Sequence, residues 1–311
     1  MVRYFIIFYL IFFVLFSCDD NSDIKYISRE DAIPDDAVKI TPDTDLFPPI
    51  LYSNDWLDPV PLAGDVNTAG GEDSPFIPID NNTFYFFFTP DVSIPAEEQV
   101  ADGATGIYQA DLINAETFNV KRIVLQDDDK LALDGCPFVR GDTIWFCSAR
   151  EGYTGLHWFK AERINGEWIN WRLTDFNPDY AVGELHIHDD LLFYHSIRDG
   201  GKGDYDIWQS KNTNGGWASP VNLTSVNTTE MEGFPFINAD GTELWFTRTY
   251  QGTPAIYRSI KTNDSWGEPE LIISQFAGEP TLDADGNIYF VHHFYDNGVM
   301  LEADIYVAKK K

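Results

Sequence analysis

From residue 51 onward, apolar and polar positions alternate in short runs, and nothing in this stretch has the 3.6-residue period of a long amphipathic helix. The runs fall into matching sets. A strand rich in aromatic and β-branched residues follows a polar turn in "NNTFYFFF", "RGDTIWFCSAR", "HDDLLFYHSIR", "ADGTELWFTR" and "ADGNIYFVHH". A second strand follows each: "GIYQADL", "GLHWFKAER", "YDIWQSK", "AIYRSIK" and "DIYVAKK". Before each pair an extended segment opens at "GEDSPFI", "LDGCPFV", "GELHIH", "MEGFPFI" and "AGEPTL". The sets recur at about 46–62 residues, a period that with four strands per repeat predicts a β-propeller.

The fourth strand is "WASPVNL" at 217–223 and "WGEPELI" at 266–272, with a looser copy, "WINWRLT", at 168–174. The last repeat reaches Lys311 without one. Trp56, Pro59, Val60 and Leu62 stand at the spacing of Trp217, Pro220, Val221 and Leu223, which predicts that 55–62 pairs beside the strand at 303–309. The expected fold is all-β: residues 51–311 form a five-bladed propeller closed by its N-terminal strand, with no free sheet edge.

The first 50 residues read differently. Arg3 precedes an apolar run, Tyr4 to Phe16, too short to span a bilayer and suited to a signal sequence. It ends in Leu15-Phe16-Ser17-Cys18. Residues 19–50 are acidic, contain several prolines and lack periodicity, as in a tether. Charge is lopsided, with 21 Lys+Arg against 50 Asp+Glu, a formal net of −29. Such a surface repels phosphate backbones and excludes nucleic acid as a partner. Beyond Cys18 only Cys136 and Cys147 remain, flanking the turn Gly141-Asp142. A disulfide and a pair of buried thiols are both open for them.

The pattern "P-x-x-x-x-D-G-x-x-L-W/Y-F-x-x-R … D-I-Y … G-x-W-x-x-P-x-x-L" resembles the WD40-like repeats of TolB and its relatives, over nearly all of 51–311. "LFSC" resembles a bacterial lipobox, and "CDDNSD" resembles the export signal of Bacteroidetes-type surface lipoproteins. These resemblances imply cleavage after residue 17, lipidation at Cys18 and anchoring at the outer membrane by acyl chains; the expected state is a monomer. The repeats also occur in lipoproteins of polysaccharide-utilisation systems. That implies a glycan partner, either as the ligand of a non-catalytic propeller or as a substrate.

What the repeats share is architecture, and what departs from the pattern is a candidate for chemistry. Glu72, Asp134, Glu184 and Glu232 open four repeats at similar places and read as structural acceptors of backbone N–H groups. As a carboxylate set, Asp134, Glu184 and Glu232 also suit a furanosidase-type glycoside hydrolase. The departures gather at the end of the aromatic strand, where three consecutive repeats carry His195, Arg248 and His292. His293 follows directly, and His186 and His188 lie on the neighbouring strand of the third repeat. Imidazole and guanidinium in so acidic a protein suit an anionic small substrate.

The same set suits β-elimination at a uronic acid. That reaction needs a cation beside the carboxylate, a base for the C5 proton and an acid for the group leaving C4. His195 is the expected base, with Tyr194 or His292 as acid partner. Arg248 and Arg198 are the expected carboxylate ligands, and His293, Glu184 and Glu232 the expected sugar contacts. His186 and His188, two apart on one strand face, suit two ligands of a divalent metal. "ELHIH" is similar to the histidines of oligogalacturonate lyases, whose ring is larger. The set as a whole resembles the oligosaccharide dehydratases of ulvan degradation, which implies loss of water from a terminal uronate.

Overall fold

The computed structural model describes residues 26–79, 82–127, 130–213 and 216–311. The apolar run at 4–16 and Cys18, expected to be a signal sequence and a lipidation site, lie outside them. No helix among the described residues is long and apolar enough to cross a membrane.

The chain divides into two units. The first comprises residues up to Thr44, Leu62–Thr174 and Phe294–Asp304; the second comprises Asp45–Pro61, Asp175–His293 and Ile305–Lys311. In the first unit the chain makes two antiparallel meanders. One runs Gly71–Phe76, Thr83–Thr89, Gly106–Ile113, Glu116–Arg122; the other runs Ala132–Arg140, Thr143–Arg150, His157–Ile164, Glu167–Leu173. Alternation places Phe84, Phe86 and Phe88 on one side of their strand, fully buried together with the intervening Tyr85. A single parallel residue pair, Ala303 with Gly71, joins the first meander to the long strand Val299–Ala308.

The second unit holds a third meander, Leu185–His188, Leu191–Ser196, Asp206–Thr213 and Val221–Asn222. The fourth is Glu232–Ile237, Glu243–Tyr250, Thr253–Thr262 and Glu270–Ser274. Its core joins Phe193 and Ile207 to Leu244, Phe246, Tyr257 and Trp266. A further antiparallel series begins with Ala277–Leu282, Ile288–Asp296 and Val299–Ala308. As the repeat spacing predicts, Val60 and Pro61 pair with Val307 and Tyr306. Trp56 bridges to Lys310, buries its ring edge-on against Trp245 at 5.6 Å, and donates Nε1–H to the Gly286 carbonyl at 2.9 Å.

Two features were not visible in the sequence. Within the largely exposed residues 26–50, Arg29 is buried, only 4% exposed. In addition, the opening strands of the first, second and fourth meanders and of the further series carry a β-bulge whose extra residue has positive φ: Ser74 at 48°, Cys136 at 52°, Phe234 at 55° and Glu279 at 54°. The bulge shifts Cys147 opposite Gly135, yet leaves the Cys136 and Cys147 sulphurs 2.6 Å apart. The third meander has no bulge. Its opening strand is four residues long and pairs in unbroken register with Leu191–Tyr194.

Candidate functional site

Register fixes which way the histidines of the third meander face. His186 pairs with Phe193 and His188 with Leu191, and His195 stands two beyond Phe193. All three therefore share one face of the sheet. The His186 ring packs edge-on against Phe236 at 4.8 Å, and His195 lies against Phe234 at 4.9 Å and Tyr205 at 5.0 Å. His188 crowds Gly241, where a Cβ would come within 2.6 Å of its Nε2. What the face meets is thus the opening strand and first turn of the fourth meander.

His195 is held between two glycines. A Cβ on Gly183 would clash with its ring at 2.3 Å, and one on Gly233 would approach at 3.2 Å. The bulge amide of Phe234 donates to His195 Nδ1 at 3.2 Å, just as the bulge amide of Glu279 donates to Thr247 Oγ1 at 2.8 Å. His195 and Thr247 occupy matching positions, so the imidazole serves as a latch to the next strand. Burial pushes its pKa down to about 4. The ring is neutral near pH 7, with Nδ1 accepting and the proton on Nε2, which makes it a donor there.

Tyr194 pairs with Leu185 and Trp208 and faces the opposite side of the sheet from His195. Burial pushes its phenol up to about 12. Among the described residues no group of three His, Cys, Asp or Glu is placed to hold a metal ion. His186 and His188 share a face.

The charged candidates fall into a repeated lock. In the fourth meander Arg248 Nε donates to Glu232 Oε1 at 2.8 Å, its NH2 reaches the Val226 carbonyl, and its guanidinium lies over Phe246 and Tyr257. Glu232 also accepts from the Thr228 amide and hydroxyl. In the second meander Arg150 NH2 donates to Asp134 at 2.7 Å and NH1 to the Leu125 carbonyl at 3.3 Å, over Phe146 and Phe159. Arg248 stands opposite Glu232 in register, whereas Arg150 lies two residues past Ser148, the partner of Asp134. That offset makes Arg248 look like a departure in sequence, although it fills the same role. His292 is fully buried, its Nε2 3.0 Å from Asp45 Oδ2 and its ring 5.0 Å from Tyr306. His293 is half-buried and donates its amide to the Phe276 carbonyl at 3.0 Å. Glu184 is half-buried, and its carbonyl accepts from the His195 amide at 3.2 Å.

The third meander breaks this pattern. Its arginine, Arg198, stacks over Trp208 at 4.8 Å and Tyr180 at 5.5 Å, and its NH1 is 3.5 Å from the Tyr194 hydroxyl. No carboxylate pairs with it among the described residues. Two buried donors beside it, Arg198 Nε and Trp208 Nε1, have no acceptor among the described residues. A half-buried guanidinium with orphan donors and aromatic walls suits an anionic oxygen ligand. Sequence reasoning placed Arg198 at the edge of the site. That it lacks an acid follows from the missing bulge, which the sequence does not announce, since Glu184 opens this repeat as Glu232 opens the next.

No protein-family model matches the chain, and no curated protein matches it. Solved structures do. A xyloglucan-locus GH43B protein of Bacteroides ovatus is 12% identical over 77% of this chain, with a TM-score of 0.48. This chain covers 52% of that protein, about half its length. The catalytic domain of a GH62 α-L-arabinofuranosidase from Coprinopsis cinerea is 10% identical, covering 81% of this chain and 95% of its own, at 0.46. A gluconolactonase from Xanthomonas campestris is 10% identical, covering 85% and 95%, at 0.45. Likeness at this level assigns neither a family nor an activity.

Proposed function

We propose that this protein is an exported, lipid-anchored, five-bladed β-propeller that binds uronate-containing oligosaccharides through Arg198. The observation that carries the reading is the unpaired guanidinium. Arg150 and Arg248 each hold an interior carboxylate, while Arg198 Nε and the Trp208 indole N–H have no acceptor among the described residues. A uronate carboxylate would accept from the guanidinium, and a pyranose face would stack on the half-buried Tyr180 ring. The five strand series and the pairing of Val60–Pro61 with the last strand support five blades closed by the N-terminal strand. Anchoring at Cys18 and an outer-membrane location rest on the "LFSC" sequence.

Binding without turnover suits the chemistry at the site. Tyr194 is a neutral phenol near pH 7, His195 faces the other side, and Arg248 and His292 are committed to buried partners. One observation favours a second reading, β-elimination. The Tyr194 hydroxyl adjoins Arg198, so beside a cation able to neutralise the uronate stands a phenol that, as phenolate, would take the C5 proton and return it to the leaving C4 oxygen.

Calorimetric titration with oligouronates, and with neutral oligosaccharides as control, tests the proposal. Wild type should bind the uronates, and Arg198→Gln should weaken binding roughly 10–100-fold, the value of a charge-assisted hydrogen bond. Equal affinity in both proteins, or no binding to wild type, would sink it. Ultraviolet absorbance that grows during the titration would replace binding alone with elimination, since only that reaction creates an unsaturated uronate.

A further inference from the structure

The first meander contains an acid lock without an arginine of its own. Val66-Asn67-Thr68 precedes Glu72 as Val226-Asn227-Thr228 precedes Glu232. The Thr68 amide and hydroxyl donate to Glu72 at 3.0 and 2.6 Å, as those of Thr228 do to Glu232 at 2.9 and 2.5 Å. Glu72 pairs in register with Phe88 where Glu232 pairs with Arg248. The missing guanidinium arrives from the N-terminal segment. Arg29 donates to the Val66 carbonyl at 2.7 Å, to Glu72 at 3.3 Å and to the Asp65 carbonyl at 2.6 Å. It lies over Phe86 and Tyr108, the counterparts of the two rings beneath Arg248, and over Phe88, which stands where Arg248 does.

Ten residues on, the same segment meets a second acid site. Lys39 Nζ contacts both Glu302 and Asp304, and the Ile40 amide donates to Glu302 at 2.9 Å. Glu302 and Asp304 share one face of the strand that joins the first meander through the single pair Ala303–Gly71. Glu302 and Asp304 are 2% and 1% exposed, whereas the Lys39 side chain remains 35% exposed. Lys39 therefore closes over the two carboxylates from outside.

We propose that residues 26–44 are a releasable strap: Arg29 stands in for the arginine the first meander lacks, and Lys39 fastens the strap over the seam between Gly71–Phe76 and Val299–Ala308. Two buried carboxylate sites on adjoining strands are neutralised by cations from one segment. Losing that segment would leave Glu72, Glu302 and Asp304 buried without counter-charge, so the strap is part of the fold rather than a spacer. Release of the strap would loosen a junction held by one backbone pair.

The test uses the full chain. Arg29→Gln should lower the thermal midpoint and, in limited proteolysis read by mass spectrometry, speed cleavage within 26–44 at least tenfold. Arg29→Gln combined with Phe88→Arg puts the guanidinium back from the register position of Arg248. It should recover much of the midpoint while cleavage of 26–44 stays fast. Recovery of this kind would not follow if Arg29 merely packed the segment down. Unchanged proteolysis in Arg29→Gln, or a stable double variant with no recovery, would overturn the proposal. Should the double variant fail to fold, Lys39→Met decides: faster cleavage in 26–44 supports the strap, and wild-type cleavage rejects it.

Discussion

Arg248→Ala is expected to destabilise the protein by about 3–5 kcal/mol, the usual cost of removing one partner from a buried ion pair. Glu232 is fully buried, and without Arg248 it keeps only the two Thr228 donors. Burial already holds its pKa above the ordinary carboxylate range with the guanidinium in place. The variant also loses the stacking over Phe246 and Tyr257 and leaves the Val226 carbonyl without its donor. A lower midpoint in denaturant with unchanged slope would report this loss. Arg248→Met with Glu232→Gln should recover part of it, because neither charge is then left alone. Arg198→Ala, which strands no carboxylate, should cost far less stability. If Arg248→Ala keeps wild-type stability and instead loses oligouronate binding, Arg248 belongs to the ligand site and the lock is incidental.

The contrast between these two arginines marks where the sequence could be read and where it could not. Strand identity follows from alternation, and the pairing of Val60–Pro61 with the last strand follows from the spacing of Trp56, Pro59 and Leu62. Both are local signals that repeat. The period of two also places His186 and His188 on one face. What covers that face is the next meander, through Phe236 and Gly241, and no local pattern announces it. Bulges at Ser74, Cys136, Phe234 and Glu279 are invisible because a non-glycine residue takes the left-handed conformation in each.

The strap was hidden for a different reason. An amphipathic element advertises itself by an apolar face, whereas residues 26–44 engage the fold largely through two single charges, Arg29 and Lys39. Against an acidic, proline-containing background they read as ordinary tether composition. The legible signal lay elsewhere, in the copy of Val226-Asn227-Thr228 and Glu232 at Val66-Asn67-Thr68 and Glu72, with Phe88 where an arginine was due. A lock repeated without its cation implies that the cation comes from outside the repeat. By the same logic, Arg198 is a cation whose acid is missing.

The buried acids give the protein an expected pH dependence. Burial raises Glu72 to about 7, outweighing the Thr68 hydrogen bonds and the Arg29 and Lys39 charges that pull it down. Burial likewise raises Glu302 and Asp304 despite Lys39. A carboxyl whose folded pKa lies above its unfolded value keeps a proton that the unfolded chain gives up. The stability it contributes is therefore present at low pH and lost as pH rises through the folded value. For Glu72 the shift from 4.5 to about 7 corresponds to on the order of 3 kcal/mol. His195 has the opposite sign. Its folded pKa of about 4 lies below 6.5, so its contribution is lost as pH falls through that window. Between 4.5 and 6.5 the two oppose each other, and above 6.5 the raised carboxyls act without it. Denaturant unfolding of wild type should therefore show lower stability at pH 8.5 than at pH 6.5. Glu72→Gln, which keeps the side-chain oxygen facing Thr68 but cannot ionise, should make that slope shallower, leaving the share carried by Glu302 and Asp304. Wild type gaining stability over this range, or Glu72→Gln keeping the full wild-type slope, would mean that Arg29 holds Glu72 ionised and that burial is the lesser force.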